Sequence, residues 1–583
     1  MKTKNPFRKF FRKEDGAVMV IAALGLVAFL SVVSLVTDMG LKYHQKSKLQ
    51  SAMDSAALAA VRYLPDEQTA RTVALEYVEK NGFSADSVTI EFPSDEIIRV
   101  SDSVESKTIF ASLFKVDSVQ INAKAAAKYV DKDVAVDFDY LMFYGDNSQF
   151  TLNGHYNIGG SIFGNGNVYA DGGGCTISGT VFSAGQASYN QSSITVNATV
   201  SNATSQPMPD FDEMIMAAVP IVDEGMFSKS YSHIGKSGFY LNKYSAGTVI
   251  NSSVSINGNT YCDGTLSTSY HSDVLVIYGN LYVAGDFTPQ CPVYVKGNAY
   301  IGGNLTTTWD KSLMVGGDLY VEGNATLNGH TTVSGNYFYI GGNLTRSSTY
   351  NLQCDCETYV GGNITLNGPS VFNGAVYCRG LFDKQGSVKM TVNGNIYAYD
   401  KLKLQSGGTT VNGSIFVWGE NASSAETVTD IAGPFTLNGD LYNRKGTLSL
   451  SGQGAYTIKG TIYSGGNLST NQGSSGITLD GCMIAEKDIL IGGSAHTYNE
   501  SGATLSIYSR DGNITLYSQQ GGFDSWGIIY APEGNVALAS GSFDIHGSII
   551  GNTITCNPGG LNMSYNDRQL PYSKKVKSAV LIE

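Results

Sequence analysis

A short unit recurs through most of this chain: Gly, a small or polar residue, then apolar–aromatic–apolar, often closed by Gly-Asp or Gly-Asn. It reads GNLYVAGD from Gly279, GNAYIGGN from Gly297, GDLYVEGN from Gly317 and GNIYAYD from Gly394. GSIFVWGE from Gly413, GDLYN from Gly439 and GTIYSGGN from Gly460 continue it. The steps 279 to 297, 297 to 317 and 394 to 413 are 18, 20 and 19 residues. Runs this short are strands rather than helices, and a fixed period of about twenty residues means stacked coils of a solenoid. Period-2 alternation places Leu281 and Val283 on one side of a strand and Tyr282 on the other. Stacking then aligns Leu281, Ala299, Leu319, Ile396, Ile415, Leu441 and Ile462 into an inward ladder. Tyr282, Tyr300, Tyr320, Tyr377, Tyr397, Phe416, Tyr442 and Tyr463 form an outward aromatic stripe, which serves mutual stacking or offers a platform for glycan rings or for another element's packing. The repeat glycines are expected at corners that need positive φ. At roughly 4.8 Å per coil, about twenty coils give a rod on the order of 100 Å long.

The first sixty residues follow another rule. From Ala17 to Val36 there is no charge, and twenty helical residues span roughly 30 Å, the thickness of a bilayer's hydrocarbon layer. Lys2, Lys4, Arg8, Lys9, Arg12 and Lys13 precede the run and fewer cations follow it. The expectation is an uncleaved, single-pass anchor in the cell membrane, its N-terminus cytoplasmic and the bulk of the chain outside. Leu41, Gln45, Leu49, Ala52, Ala56 and Ala59 recur at helical steps up to Pro65, so the helix is expected to continue past the membrane with a small-residue packing face.

Gly16, Asp38, Gly40, Leu49, Gln50, Ala52, Asp54, Ala56, Ala57, Leu58 and Ala59 carry a Gly–apolar span–Asp-x-Gly–Leu-Gln-x-Ala-x-Asp-x-Ala-Ala-Leu-Ala pattern. In this the first 130 residues at most resemble the N-terminal region of the Flp pilus-assembly TadE/TadG-like family. The resemblance implies a membrane-anchored protein exported with, or assisting, Tad-type pili. Ile21 stands where a prepilin-type processing site normally has Glu. A von Willebrand A metal motif is missing too: Asp146-Asn147-Ser148-Gln149-Phe150 departs at its last position. The repeats themselves resemble bactofilin-type, polymer-forming β-helices. GFDSWGIIYAPEGNVALASGSFDIHGSIIGNTI near the end resembles terminal coils of bacterial surface β-helices.

The expected fold is mainly β: an N-terminal transmembrane α-helix with a small α+β unit, then a long β-helix (β-solenoid) of about 18–21 residues per coil. The boundaries read as a basic cytoplasmic segment at 1–16, the transmembrane helix at 17–37 and its extension at 38–64. A small α+β unit at 65–130 has a helical face at Thr69–Val78, strands at Ser87–Phe92, Ile97–Asp102 and Ser118–Tyr129, and one helical turn at Ile109–Phe114. A first β-helix segment covers 131–204, an insertion rich in Pro and apolar residues covers 205–245, the main β-helix covers 246–560, and a tail or cap covers 561–583.

A formal charge of −12 argues against nucleic acid as a partner. The eight Cys lie between Cys175 and Cys556; this spread is no disulfide framework, and Cys378 falls in an inward slot that suits a buried thiol. Cys354-Asp355-Cys356 lacks a second pair, and the His residues are scattered, so neither a metal nor a cofactor is expected. Polysaccharide-active β-helices need clustered carboxylates; Asp286, Asp310 and Asp318 fall at turns where Asp is common, and no enzyme activity is expected. The function expected is a structural protein of the cell surface linked to Tad/Flp-type pilus assembly or envelope organisation. Its alternatives are an adhesin-like glycan binder, a scaffold that self-associates through helix packing or β-helix ends, and, last, a polysaccharide-active enzyme. The partners expected are the membrane, pilus components, a second copy of the chain or a glycan.

Overall fold

The protein is described by a computed structural model covering residues 15–108, 115–135, 138–211, 215, 218–222, 240–251, 254–452, 454–472, 476–498, 505–565 and 573–582. The basic segment up to residue 14 and the helical turn expected at Ile109–Phe114 lie outside those residues, as does much of the 205–245 insertion. The chain forms two compact units, Met1–Ala135 with Ser573–Glu583, and Val136–Tyr572.

In the first unit, α1 runs unbroken from Asp15 to Ala60 and ends in one tight turn, Val61–Tyr63, just before Pro65. Its outer half buries Leu49, Ala52, Met53, Ala56, Ala57 and Ala60. These small residues let α2 (Glu67–Lys80) approach closely, with Ala70, Ala74 and Val78 opposite them in one core. Asp66 caps α2 by accepting from the backbone N–H groups of Gln68 and Thr69 at 3.1 Å, which satisfies two otherwise orphaned donors. Beneath the helices lies an antiparallel sheet of β1 (Thr89–Ser94), β2 (Ile97–Lys107) and β3 (Ser118–Ala135). Its inner face carries Ile98, Val100, Ile121, Ala123, Ala125 and Ala127.

Residues 573–581, read above within a tail or cap, form the fourth strand of this sheet, antiparallel to β3 from Ala127↔Leu581 to Ala135↔Ser573. The second unit is therefore inserted between two neighbouring strands of the first. Among the described residues no helix is long and apolar enough to cross a membrane; part of the 17–37 span has side chains outside the described set.

The second unit is a β-solenoid of about 19 turns whose strand pairings among the described residues are parallel. The inward ladder is present as expected. Leu281, Ala299 and Leu319 are register partners in successive coils, and so are Ile396, Ile415, Leu441 and Ile462, all buried.

Gly460 has the expected positive φ of 149°, but the other glycines that open the motif have a different reason from the one their sequence suggests. Gly279, Gly297, Gly303, Gly394 and Gly413 are not in the positive-φ region; they are there because the coils approach too closely for a Cβ. A Cβ on Gly413 would sit 2.5 Å from the Gly394 carbonyl oxygen and 2.6 Å from its carbon. The Asn or Asp after the glycine points along the axis. Asn280 Nα donates to Asn259 Oδ1 (2.9 Å), Asn298 Nα to Asn280 Oδ1 (2.8 Å), and Asp318 Nα to Asn298 Oδ1 (2.9 Å). A second corner repeats this through Asp286, Asn304, Asn324, Asn343 and Asn363. The Gly-Asn and Gly-Asp pairs are thus a contact and a cap that recur at each level.

The stacking order is not the chain order. The first coil, Met142–Ile158, lies between the coil at 162–177 and the last coil: Met142 pairs with Ile162 and Ile549, and Tyr156 aligns with Leu561. One end of the stack is therefore the strand Ile194–Val200, and the other is Asn242–Ile256. The two ends, joined in sequence by residues 201–241, lie on the order of 90 Å apart for about 19 rises of about 4.8 Å.

Candidate functional site

Two features are the candidates: the packed segment of α1 and the aromatic column of the solenoid. On α1, Leu49 is core and Asp38 is buried. Gln50 Nε2 donates to Asp54 Oδ1 (2.8 Å) and to the Lys124 carbonyl (2.7 Å), tying the helix to β3. Gly16 lies in the first turn, and a Cβ on Gly40, mid-helix, would meet nothing within 4 Å. The residues grouped by sequence pattern are thus partly a packing face and partly a helix–sheet tether. At the other end of α1, Val20, Ile21, Leu24, Leu26, Val27 and Phe29 are all exposed.

In the solenoid, the stripe runs in register from Tyr261 through Tyr282, Tyr300, Tyr320, Tyr339, Tyr359, Tyr377, Tyr397, Phe416 and Tyr442 to Tyr463. It then passes Tyr508 and Tyr530 and crosses onto Phe143, Phe163 and Phe182 of the first coils. Tyr339 and Tyr359 escape the sequence reading because a Gly does not directly precede their motifs. Tyr508 follows Tyr463 by way of Ile484, which interrupts the aromatic pattern, and Phe143 joins the column through Ile550 only because stacking order and chain order differ.

Ring faces are taken by neighbouring rings. Tyr377 and Tyr397 stack at 4.8 Å and 6°, Tyr442 and Tyr463 at 4.8 Å and 9°, and Tyr300 and Tyr320 at 4.9 Å and 9°. Tyr320, Tyr377, Tyr397 and Phe416 are only 6, 4, 7 and 9% exposed. The hydroxyls are engaged as well: Tyr463 donates to Glu486 (3.0 Å), and Tyr397 accepts from Asn395 Nδ2 (2.9 Å). Burial pushes the Tyr320 phenol up to about 12, with Asp318 adding to the shift.

Three described side chains of the 205–245 stretch meet this column. Phe211 packs edge-on against Tyr530 (5.1 Å), whose hydroxyl donates to the Pro209 carbonyl (2.5 Å). Val222 packs with Tyr377, Tyr397, Phe416 and Trp418. Tyr240 meets Tyr261 and Tyr282.

The acids weighed for catalysis have structural partners. Asp286 and Asp318 accept backbone N–H groups of the next coil, and Asp310 pairs with Lys311 at 2.7 Å. A different cluster, not grouped by sequence, lies near the C-terminal end of the chain. Asp524 sits 3.9 Å from both His496 and His546, and His546 is 3.6 Å from Asp544. The Trp526 ring stacks on His546 at 4.0 Å. Burial raises the Asp524 carboxyl, opposed by His546. Its signal was available in FDSW and FDIH, which align Asp524 with Asp544 and Trp526 with His546. Among the described residues no group of three or more His, Cys, Asp or Glu is placed to hold a metal ion.

Residues 16–62 match the family described as putative Flp pilus-assembly TadE/G-like. The matched stretch ends within the turn after α1, so the TadE/G-like likeness covers that helix and none of the solenoid. Neither the curated proteins nor the solved structures give a match to the chain.

Proposed function

We propose that this is a membrane-anchored, extracytoplasmic structural protein of the Tad/Flp pilus-assembly system or of the cell surface, tethered by α1 and projecting the solenoid. The observation that carries the reading is the TadE/G-like match over 16–62, laid on one continuous helix. Val20, Ile21, Leu24, Leu26, Val27 and Phe29 near its start are exposed and apolar, while Leu49, Ala52, Met53, Ala56, Ala57 and Ala60 near its end are packed. An apolar band of that kind on a long helix is what a bilayer would cover. The solenoid supports a mechanical role: its interior is an apolar ladder and its corner Asn and Asp residues are used to cap the next coil. Residues 20–29 would lie in the membrane, with the N-terminus cytoplasmic.

The test is fractionation together with pilus assembly. Wild-type chain is expected in the membrane fraction, and a chain lacking residues 1–36 in the soluble fraction. Loss of the gene is expected to reduce Tad pili or alter the cell surface. A chain that stays soluble with residues 1–36 intact refutes the anchor; unchanged pili and surface on deletion refute the assignment to assembly.

A further inference from the structure

The cluster near the C-terminal end of the chain has a further member, Ser564. Its Oγ lies 2.8 Å from His546 Nδ1. On the other side of the imidazole, Nε2 faces Asp544 Oδ1 at 3.6 Å and Asp524 Oδ1 at 3.9 Å. Strand register makes the meeting: Trp526, His546 and Ser564 are partners in successive coils, and Asp524 pairs with Asp544 two residues earlier. The Trp526 ring, stacked on the imidazole at 4.0 Å and 24°, holds its plane.

Carboxylates beside Nε2 keep the proton of the neutral ring on that nitrogen, so Nδ1 accepts from the Ser564 hydroxyl. A nucleophile within hydrogen-bond reach of a base that a third group orients is the arrangement nucleophilic catalysis needs. Asp524 Oδ1 is buried and has no hydrogen-bond partner, a cost in free energy that a positive charge on His546 offsets. Its 3.9 Å separation from Nε2 has to close by about 1 Å, as catalytic hydrogen bonds commonly do once substrate is bound. Ser564 is partly exposed. The coil beside it presents Gly159, where even a Cβ would stand 3.8 Å from the Ser564 Cα. A cavity of about 260 Å³ opens on the same face, lined by His155, Asn157, Ser542, Phe543, Leu561 and Asn562. That is just below the range of drug-sized ligands and admits a short acyl group. Asn562 and its register partner Asn157 bring amide donors to this wall for a developing oxyanion.

We propose that Ser564 is the nucleophile and His546 the general base of a site that hydrolyses carboxylic esters of short acyl chains, with Asp524 as the positioning residue. The Ser564 oxygen bonds to the carbonyl carbon while its proton passes to His546 Nδ1. The ester C–O bond then breaks and the alcohol leaves with that proton. Water adds to the acyl-serine and gives a proton to Nδ1, and the acid departs as Ser564 recovers the proton. Ester and water become acid and alcohol with no further reactant. The pilus-related reading neither requires nor excludes this site.

The probes are p-nitrophenyl acetate and an alkyl fluorophosphonate, applied to the full-length protein. Turnover of the ester is expected, with one fluorophosphonate adduct that peptide mass spectrometry places on Ser564. Ser564→Ala and His546→Gln should each lower kcat/KM by at least about 100-fold and abolish the adduct, with hydrogen exchange over 542–564 unchanged. Asp524→Asn should lower kcat by at least about tenfold at unchanged KM, a split that lost packing alone does not produce. No turnover, no adduct on Ser564, an adduct that survives His546→Gln, or full turnover in a folded Ser564→Ala would each overturn the proposal. The wild-type adduct decides it should a variant not fold.

Discussion

Gly413→Ala tests whether close approach, rather than backbone conformation, fixes the repeat glycines. The added methyl would stand 2.5 Å from the Gly394 oxygen, 2.6 Å from the Gly394 carbon and 2.7 Å from Asn395 Oδ1. Ordinary carbon contacts need at least about 3.4 Å, so the coils must part by several tenths of an ångström at this corner. Parting them strains the Ser414 N–H bond to Asn395 Oδ1, now 2.8 Å, and displaces Ile415 from the ladder. Overpacking costs about 1–3 kcal/mol and a lost hydrogen bond about 1 kcal/mol, so roughly 2–4 kcal/mol is expected. Gly408→Ala is the control: its Cβ would meet nothing within 4 Å and its φ is not positive, so it should be neutral or stabilise by up to about 1 kcal/mol. A stack of coils does not unfold in one step; the assay is therefore native-state hydrogen exchange over 390–445. Because two of the three blocking atoms are backbone, adding Asn395→Ala should not rescue Gly413→Ala. Equal costs for the two alanines, or full rescue by Asn395→Ala, would refute the reasoning.

Lys384 is wholly buried and donates to the carbonyls of Gln405 (3.2 Å), Ser406 (2.5 Å) and Gly407 (3.0 Å). Burial lowers its pKa to about 8. Between pH 8 and its unfolded value near 10.5 the unfolded chain holds the extra proton, so stability should rise with pH in that window. The rise is at most about 3 kcal/mol, since the carbonyls favour the ammonium; Lys384→Met should remove it, and unchanged pH dependence of hydrogen exchange at 382–407 would count against this. All eight Cys are free and buried, with Cys378 and Cys556 each pushed up to about 12 by burial. Ellman's reagent should find almost no thiol in native protein and eight after denaturation; rapid native labelling would contradict the burial. Phe211→Ala should raise exchange at 205–211 while leaving 390–445 unchanged, because it removes two ring contacts, with Tyr530 and Phe138, each at about 0.5–1.5 kcal/mol beyond area burial.

The coil architecture was legible in the sequence because its two periods are local. Alternation by two puts Leu281 and Tyr282 on opposite faces within three residues, and a step of about twenty repeats them. The reason for the glycines was not legible, since steric exclusion by the previous coil and positive φ ask for the same residue. The buried cations Arg346 and Lys384 were hidden as well. Each stands in an inward slot of its coil, and its acceptors are carbonyls: Leu327, Gly329 and Tyr350 for Arg346. Carbonyls carry no side-chain signature. The meeting of Met142 with Ile549 joins stretches some four hundred residues apart, and nothing local in either announces the other. Of the TadE/G-like positions, Leu49 and the alanines could be placed by helical spacing alone. The tether from Gln50 to the Lys124 carbonyl needed the sheet.

The reversal in stacking order explains how a long solenoid can be inserted in the chain between two neighbouring strands of a sheet. A solenoid that simply ran from end to end would separate its termini by its full length, on the order of 90 Å. Ala135 and Ser573 are direct register partners in neighbouring strands, which such a solenoid could not serve. Stacking the first coil on the last brings the two ends of the second unit together: Leu141 N–H donates to Ser161, Ile549 N–H donates to Leu141, and Tyr565 Oη donates to the Asp139 carbonyl at 3.2 Å. The link between the two ends of the stack falls to residues 201–241. Of its described side chains, Phe211, Val222 and Tyr240 pack on the aromatic column at three separated levels. The column is thus a packing surface for these three side chains. Stripping those three side chains should therefore loosen the segment without unstacking the coils.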